Sequence, residues 1–473
     1  MPIAQGSWRG WGVALSILAG APAAGSTASV NSAAPAPSAP PVQPIAPPIA
    51  AGTYPFYMPM QGLRRPANRL FVKCDASRAA GREVYANNAK DNLGGRATGG
   101  FEIVFEATDS AGNPCVYPFA PWLPQIVGPL QGTQYILRSS VPGRQVTFRS
   151  ADQWATIDLR LFDFGQARVH FEMSDIALDF PGAIQPKGAL QIEGFGGSPP
   201  GLFSVVIRRA KIFGGKNALF VPSGQTVLYV EDSEFAGNVG TNTDQEHTTY
   251  INGILVSHLR NSTWSGQRAY SNQASGHQLK DKAYLRVYEN LTVTNTPNGG
   301  PPSAMPLLDL SAFGFTWTNN LHLQRLAPLQ TVRDTMVDLR TEILYGAPQF
   351  YPWNVAADPA WRMPAAPLGV LDKVYLSVFH NTSVESFRTE PYVFALRPQG
   401  TGYVPGTNTV AGNEITTPAQ QRTVSLSFGT RGRFARVYSR EGWTYADPRL
   451  PAGAQWVNDR DAFIRHALGL TGR

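Results

Sequence analysis

Two histidines lie 30 residues apart, His247 in the run Glu246-His247-Thr248-Thr249-Tyr250 and His277 in the run Gly276-His277-Gln278-Leu279-Lys280. Tyr250 and Lys280 repeat the same interval. Imidazole, phenol and amine accept and donate protons once their pKa values are tuned, so the chemistry these residues offer is proton transfer. That chemistry needs the four groups within reach of one another, and the chain must bring them there.

The interval itself says how. Asp232, Asn261, Asn290 and Asn320 each follow an apolar, strand-like run, at spacings of 29, 29 and 30, and Asn381 follows 61 later, about two periods. A repeat of 20–50 residues marks a solenoid, in which residues one period apart stack on adjacent rungs about 4.8 Å apart. His247, Tyr250, His277 and Lys280 are then expected to form one cluster. Between His247 and Asn261 lie 14 positions, against 13 between His277 and Asn290, so one coil must absorb an extra residue; a bulge at Asn252 and Gly253 would do so. Asparagine suits the turns because it tolerates left-handed backbone and can stack its amide along the axis. Asn261, Asn290 and Asn381 also fit Asn-x-Ser/Thr, which is read as a coincidence of turn composition.

The composition agrees. The 473 residues are 43% apolar, with 24 Phe, 17 Tyr and 10 Trp, ample for a core, and 46 Gly and 39 Pro supply many turns. A solenoid can exceed the size of one globular core, because each coil contacts only its neighbours. The apolar runs, such as Val227 to Phe235, alternate as strands do, and sustained helical periodicity is missing from them. Residues 1–24 read as an export signal: Arg9, an apolar stretch from Trp11 to Leu18, then small residues. Removing them lowers the net charge from +7 to +6, leaves no membrane span, and makes the chain secreted or periplasmic. A basic balance suits an anionic partner, but Lys and Arg are scattered with no nucleic-acid-binding motif, so nucleic acid is not expected. Cys74 and Cys115 are the two cysteines; an even count in an exported chain favours a disulfide, against the alternative of two buried thiols.

The domain reading follows. Residues 25–52 are an uncharged Ala/Pro-rich linker. Residues 54–150 form an N-terminal cap and first coils, 151–385 the repeating body, and 386–473 a C-terminal capping segment. A short helix is expected near 458–470, with Phe463, Ile464, Ala467 and Leu468 on its apolar face.

The coil period and turn asparagines over residues 155–385 resemble the right-handed parallel β-helix family, which includes pectate lyases, alginate lyases and polygalacturonases. The segment Gly276-His277-Gln278-Leu279-Lys280-Asp281-Lys282 is similar to a Gly-His-x-x-Lys-x-Lys/Arg element of bacterial secreted β-helix proteins. The resemblance implies an all-β, right-handed parallel β-helix with an N-terminal cap and a short C-terminal helix. It implies an acidic polysaccharide as partner and β-elimination as the reaction. A lyase removes the C5 proton of a uronate, stabilises the charge that develops on the carboxylate and protonates the leaving oxygen. Lys280 and His277 are the candidate bases, and Tyr250 or His247 the acid. Lys282 or Arg268 would neutralise the carboxylate, with Tyr270 and Glu246 also lining the site.

Two alternatives stay open. A glycoside hydrolase would need paired carboxylates; Asn242-Thr243-Asp244 and Ser275-Gly276-His277 echo polygalacturonase fragments, but only Asp244, Glu246 and Asp281 could supply the acids. A non-catalytic solenoid would bind envelope or matrix polysaccharide, with Tyr270, Trp264 and Trp317 stacking on sugars, although Trp264 falls where the core is expected. No cofactor is expected. Calcium is the one metal left open, since ligands assembled in space leave no linear motif.

Overall fold

Val227-Leu228-Tyr229-Val230 shows in four residues how the molecule is built. Successive side chains of a strand point to opposite faces; Leu228 and Val230 enter the main core, while Val227 and Tyr229 join a second apolar cluster on the other side. The computed structural model describes residues 54–58, 66, 68–74, 101–118, 133–162, 168–195, 202–222, 226–236, 239–240, 246–265, 268–269, 276–295, 307–311, 314–325, 335–340, 375–380, 382–386, 392–397, 407–411, 414–416, 427–428, 438–439, 442–443, 459–468 and 470. The proposed signal and linker, residues 1–52, lie outside them, as do Asp244, Tyr270 and Asn381.

Strands stack in parallel into three ladders wrapped around one core. The first runs through Thr133–Ser139, Arg168–Ser174, Leu202–Arg208, Thr226–Glu231 and Val256–Arg260. It then takes the opening half of Leu285–Thr294 and of Gly314–Arg325. The second includes Ile176–Phe180, Lys211–Gly214, Glu234–Ala236 and Thr263–Ser265. The third runs Ile157–Phe162, Gly188–Phe195, Asn217–Val221, Thr249–Ile251, Leu279–Asp281, Leu308–Ser311 and Thr335–Arg340. This is the parallel β-helix expected from the period.

Between the first two ladders the chain turns through one left-handed residue per coil: Asp175, Arg209, Asp232, Asn261, Asn290 and Asn320, with φ from 46° to 59°. Asn261 donates to Asp232 at 3.1 Å, Asn290 to Asn261 at 2.8 Å, and Asn320 to Asn290 at 2.9 Å. The asparagine turns thus both adopt the strained backbone and bond along the axis.

The ladders run beyond residues 151–385 in both directions. Asn68–Val72 and Phe101–Phe105 already pair with the first ladder, and Thr407–Ala411 continues it. Asn320 and the Tyr375–His380 strand belong to adjacent coils, not coils two periods apart, since Gly314–Arg325 pairs directly with Tyr375–His380. Chain inserted between strands lengthens the interval without breaking the ladder, and this hides the repeat from the sequence. The Asn252–Gly253 bulge is present: Ile251 pairs with Asp281, 30 on, but Val256 pairs with Leu285, 29 on, and Gly253 takes φ of 55°.

Cys74 and Cys115 form a disulfide with Cα atoms 5.7 Å apart. Closing that loop contributes about 4 kcal/mol on the loop-entropy account. The C-terminal helix spans Arg460–Ala467, capped by Asp459, whose carboxylate accepts from the Ala462 amide at 2.7 Å. It is not a terminal cap. Phe463, Ile464, Ala467 and Leu468 pack with Tyr57 and Met58 against Val227, Tyr229, Val256, Leu285 and Phe315, so both segments lie on the outer face of the first ladder.

Polar contacts fasten that cover. Tyr54 donates to Glu172 at 2.8 Å. The Tyr57 hydroxyl meets Nδ1 of His258, whose Nε2 lies 2.6 Å from Glu289, and Arg460 reaches the same carboxylate at 3.0 Å. Burial pushes the Tyr57 hydroxyl well up and the His258 imidazole down. Tyr57 therefore keeps its proton and donates it to a neutral His258, which donates from Nε2 to Glu289.

Candidate active site

The third ladder aligns Phe220, Tyr250, Lys280 and Asp309 on successive rungs. Their neighbours on the same strands, Leu219, Ile251 and Leu279, enter the core, so alternation turns this column to the outside. His247 and His277 stand just before the strands, where the chain enters the ladder from the preceding corner. The structure therefore brings His247, Tyr250, His277 and Lys280 together, and adds Asp309.

Backbone bonds hold the two histidines. The His247 amide donates to Oδ1 of Asn217 at 2.8 Å, and the His277 amide donates to Nδ1 of His247 at 2.9 Å. An Nδ1 that accepts an amide proton carries its lone pair there, which puts the ring proton of His247 on Nε2 and keeps the ring neutral. The His247 and His277 rings lie 5.2 Å apart, and His247 meets the edge of Tyr250 at 5.2 Å. Gly276 makes this approach feasible: a Cβ there would come within 2.3 Å of His247 Nδ1.

Asp309 organises the charges. Its Oδ2 lies 3.2 Å from Nε2 of His277 and 3.5 Å from Nζ of Lys280. It is fully buried, and a buried carboxylate keeps its charge only where cations or donors compensate it. The Lys280 ammonium also sits 5.2 Å over the Tyr250 ring. Burial, reinforced by the charge of Asp309, pushes the Tyr250 hydroxyl up to about 12. Tyr250 is thus a proton donor at neutral pH, and the Lys280 side chain lies beside the Asp309 carboxylate.

Exposure separates the members. His247 and His277 are each 1% exposed, whereas Tyr250 is half-buried and the Lys280 side chain is 12% exposed. Any ligand that reaches this face meets Tyr250 and Lys280 first.

Several expected residues lie elsewhere. Lys282 and Glu246 are 4% and 5% exposed, more open than the two histidines but less open than Tyr250 and Lys280. Arg268 lies in a short strand, Arg268–Ala269, paired with Val239–Gly240. Asp281 points into the core, where Tyr288 and the Ala283 amide donate to it, both at 2.8 Å; burial raises its carboxyl despite Arg286. It cannot join Glu246 as a hydrolytic pair. Trp264 is buried against Phe235 and donates to Thr249 at 2.9 Å. Trp317 is 5% exposed beneath the cover of the first ladder, so neither ring is available to stack on sugars. Among the described residues, no group of three or more His, Cys, Asp and Glu is arranged to hold a metal, and no helix is long and apolar enough to cross a membrane.

Asp309 escaped the sequence reading although its signal was present: it lies 29 residues after Lys280, as an acid inside the apolar run Leu307-Leu308-Asp309-Leu310. Asn217, 30 before His247, carried the same signal.

No family model matches the chain, and no curated protein matches its sequence. Among solved structures, the A-module of the mannuronan C-5 epimerase AlgE4 of Azotobacter vinelandii aligns over 73% of this chain and 94% of its own length, at 14% identity and a TM-score of 0.22. A likeness that slight carries no argument about activity. It is the three ladders themselves that make the chain a parallel β-helix.

Proposed function

We propose that the protein is an exported, polysaccharide-active lyase that cleaves an acidic glycan by β-elimination at the Tyr250–Lys280 face. The observation that carries the reading is the shared carboxylate of Asp309, within ion-pair distance of both His277 and Lys280. Lys280 supplies the cation that neutralises the uronate carboxylate as negative charge develops on it. His277, oriented by Asp309, accepts the C5 proton; the C4–C5 double bond forms as the C4–O bond breaks, and Tyr250 returns a proton to the leaving oxygen. Because His277 is buried, the side chains around it must shift when the sugar binds. The cover on the first ladder supports the choice of face, since the chain's own segments already occupy that surface.

A binding-only reading is favoured by one observation: both histidines are 1% exposed and His247 is engaged by backbone, as structural histidines at a corner would be. One experiment separates the readings. The protein is incubated with a panel of uronate-containing and neutral polysaccharides, following the ultraviolet absorbance of unsaturated product and, in parallel, reducing ends. Unsaturated product that disappears in Lys280→Ala and His277→Ala, with the fold intact, supports elimination. Reducing ends without unsaturation would indicate hydrolysis, and binding without either product a carbohydrate-binding solenoid.

A further inference from the structure

The column that holds Tyr250 and Lys280 continues towards the N-terminal coils through Phe220 and Gln191, and beside it Lys187, just before the strand Gly188–Phe195, repeats the pairing of ring and cation. Phe220 is in register with Tyr250, with ring centroids 5.7 Å apart. The ammonium of Lys187 sits 5.4 Å over the Phe220 ring, much as that of Lys280 sits 5.2 Å over Tyr250. The two cations differ in their partners. Lys280 has Asp309, whereas Lys187 is exposed and has no acidic partner among the described residues. Lys211, also on the surface, is paired with Glu234 at 2.9 Å.

The backbone beneath Lys187 is fixed. Asn217, itself 4% exposed, donates to the Lys187 carbonyl from its amide at 2.9 Å and from its side chain at 2.5 Å. Its Oδ1 accepts from His247. One buried side chain therefore sets the positions of both Lys187 and the histidine corner. Gly188 allows Phe220 to pack close, since a Cβ at Gly188 would come within 2.9 Å of the Phe220 Cβ.

We propose that Lys187 and Phe220 form a second subsite, which binds a carboxylate of the same acidic glycan chain lying along the solenoid axis. This rests on the Tyr250–Lys280 face being the glycan site. Lys187, Phe220, Tyr250 and Lys280 belong to consecutive coils, so the backbone positions of the two lysines are three rungs apart, roughly 14 Å along the axis. A single uronate cannot span that distance, and an oligomer can. The subsite therefore selects for polyanionic chains over monomers and over chains with one isolated charge.

The test is calorimetric binding of uronate oligosaccharides of increasing length, at low salt, to the full chain and to Lys187→Ala, Lys187→Glu and Phe220→Leu. In the wild type, affinity should rise about five- to tenfold once the oligomer spans both cations, the gain expected of one partly exposed charge-assisted contact. In Lys187→Ala that rise should vanish and the salt dependence should flatten; in Lys187→Glu long oligomers should bind more weakly than short ones. Because Lys187 is exposed, an unchanged circular dichroism spectrum is expected, and Phe220→Leu tests the ring without altering charge. A length dependence in Lys187→Ala equal to the wild type overturns the subsite and leaves the Tyr250–Lys280 reading standing. If no uronate oligomer of any length binds the wild type, both are overturned.

Discussion

Asp309 stands one rung beyond Lys280, in register with it, and its Oδ2 lies 3.5 Å from the Lys280 ammonium. The same oxygen faces His277, so one buried charge holds a cation and an imidazole in fixed relation. Asp309→Asn keeps the shape and removes the charge. Turnover of an acidic glycan is expected to fall by about 10²-fold, through loss of preorganised electrostatics. Comparing kcat and KM against a circular dichroism control checks it; full activity in Asp309→Asn would refute the shared-carboxylate role.

Tyr250→Phe should lower elimination by about 10²-fold, the usual contribution of a positioned proton donor. It should also change the alkaline stability. The Tyr250 hydroxyl is held up at about 12, against an ordinary value of 10.0. A group that keeps its proton longer in the folded state stabilises the fold below its unfolded pKa, and that stability is lost as pH rises from 10 to 12. Urea midpoints measured across this range should therefore fall less steeply for Tyr250→Phe than for the wild type.

The amide column gives a prediction about the fold alone. Asn290 accepts from Asn320, donates to Asn261 and adopts φ of 54°. Asn290→Ala loses both bonds and meets the left-handed penalty, costing about 2 kcal/mol, whereas Asn290→Gly keeps the backbone at ease and should cost about 1 kcal/mol. Equal midpoints for the two variants in urea would show that backbone strain does not matter at this turn.

Acid should loosen the cover on the first ladder before it unwinds the coils. Burial alone would raise the Glu289 carboxyl, but the hydrogen bond from His258 and the charge of Arg460 outweigh it and hold it at about 2. The nearby His170 imidazole, 3.7 Å away, with hydrogen bonds from Ser174 and Tyr54, likewise holds Glu172 at about 2 against its burial. Depressed carboxyls stabilise the fold above their ordinary value of 4.5, and that contribution is lost as pH falls towards 2. Limited proteolysis near Arg460 should therefore accelerate across this window, and Glu289→Gln should be cleaved readily even at neutral pH.

The parts legible from the sequence were those that repeat at a constant interval. His247 with His277 and Tyr250 with Lys280 could be paired from numbering alone, because no chain is inserted between their coils beyond the single residue at Asn252–Gly253. The same arithmetic fails where coils differ in length, as between Asn320 and the strand at Tyr375. Direction was harder to read than stacking. Asp281 and Lys280 are adjacent, yet one faces the core and the other the outside, so a one-residue choice decided which could meet a substrate. The cover formed by Tyr54, Tyr57 and Arg460 left no trace, since nothing in a linear sequence ties residue 57 to residues 258 and 460.

That cover also imposes an order on biosynthesis. Coils can stack one after another as the chain emerges, each needing only its predecessor. Val227, Tyr229, Val256, Leu285 and Phe315 must instead wait for Phe463, Ile464 and Leu468. For the time the ribosome takes to make that interval, the growing protein displays an apolar flank that a holdase chaperone or a second nascent chain can reach.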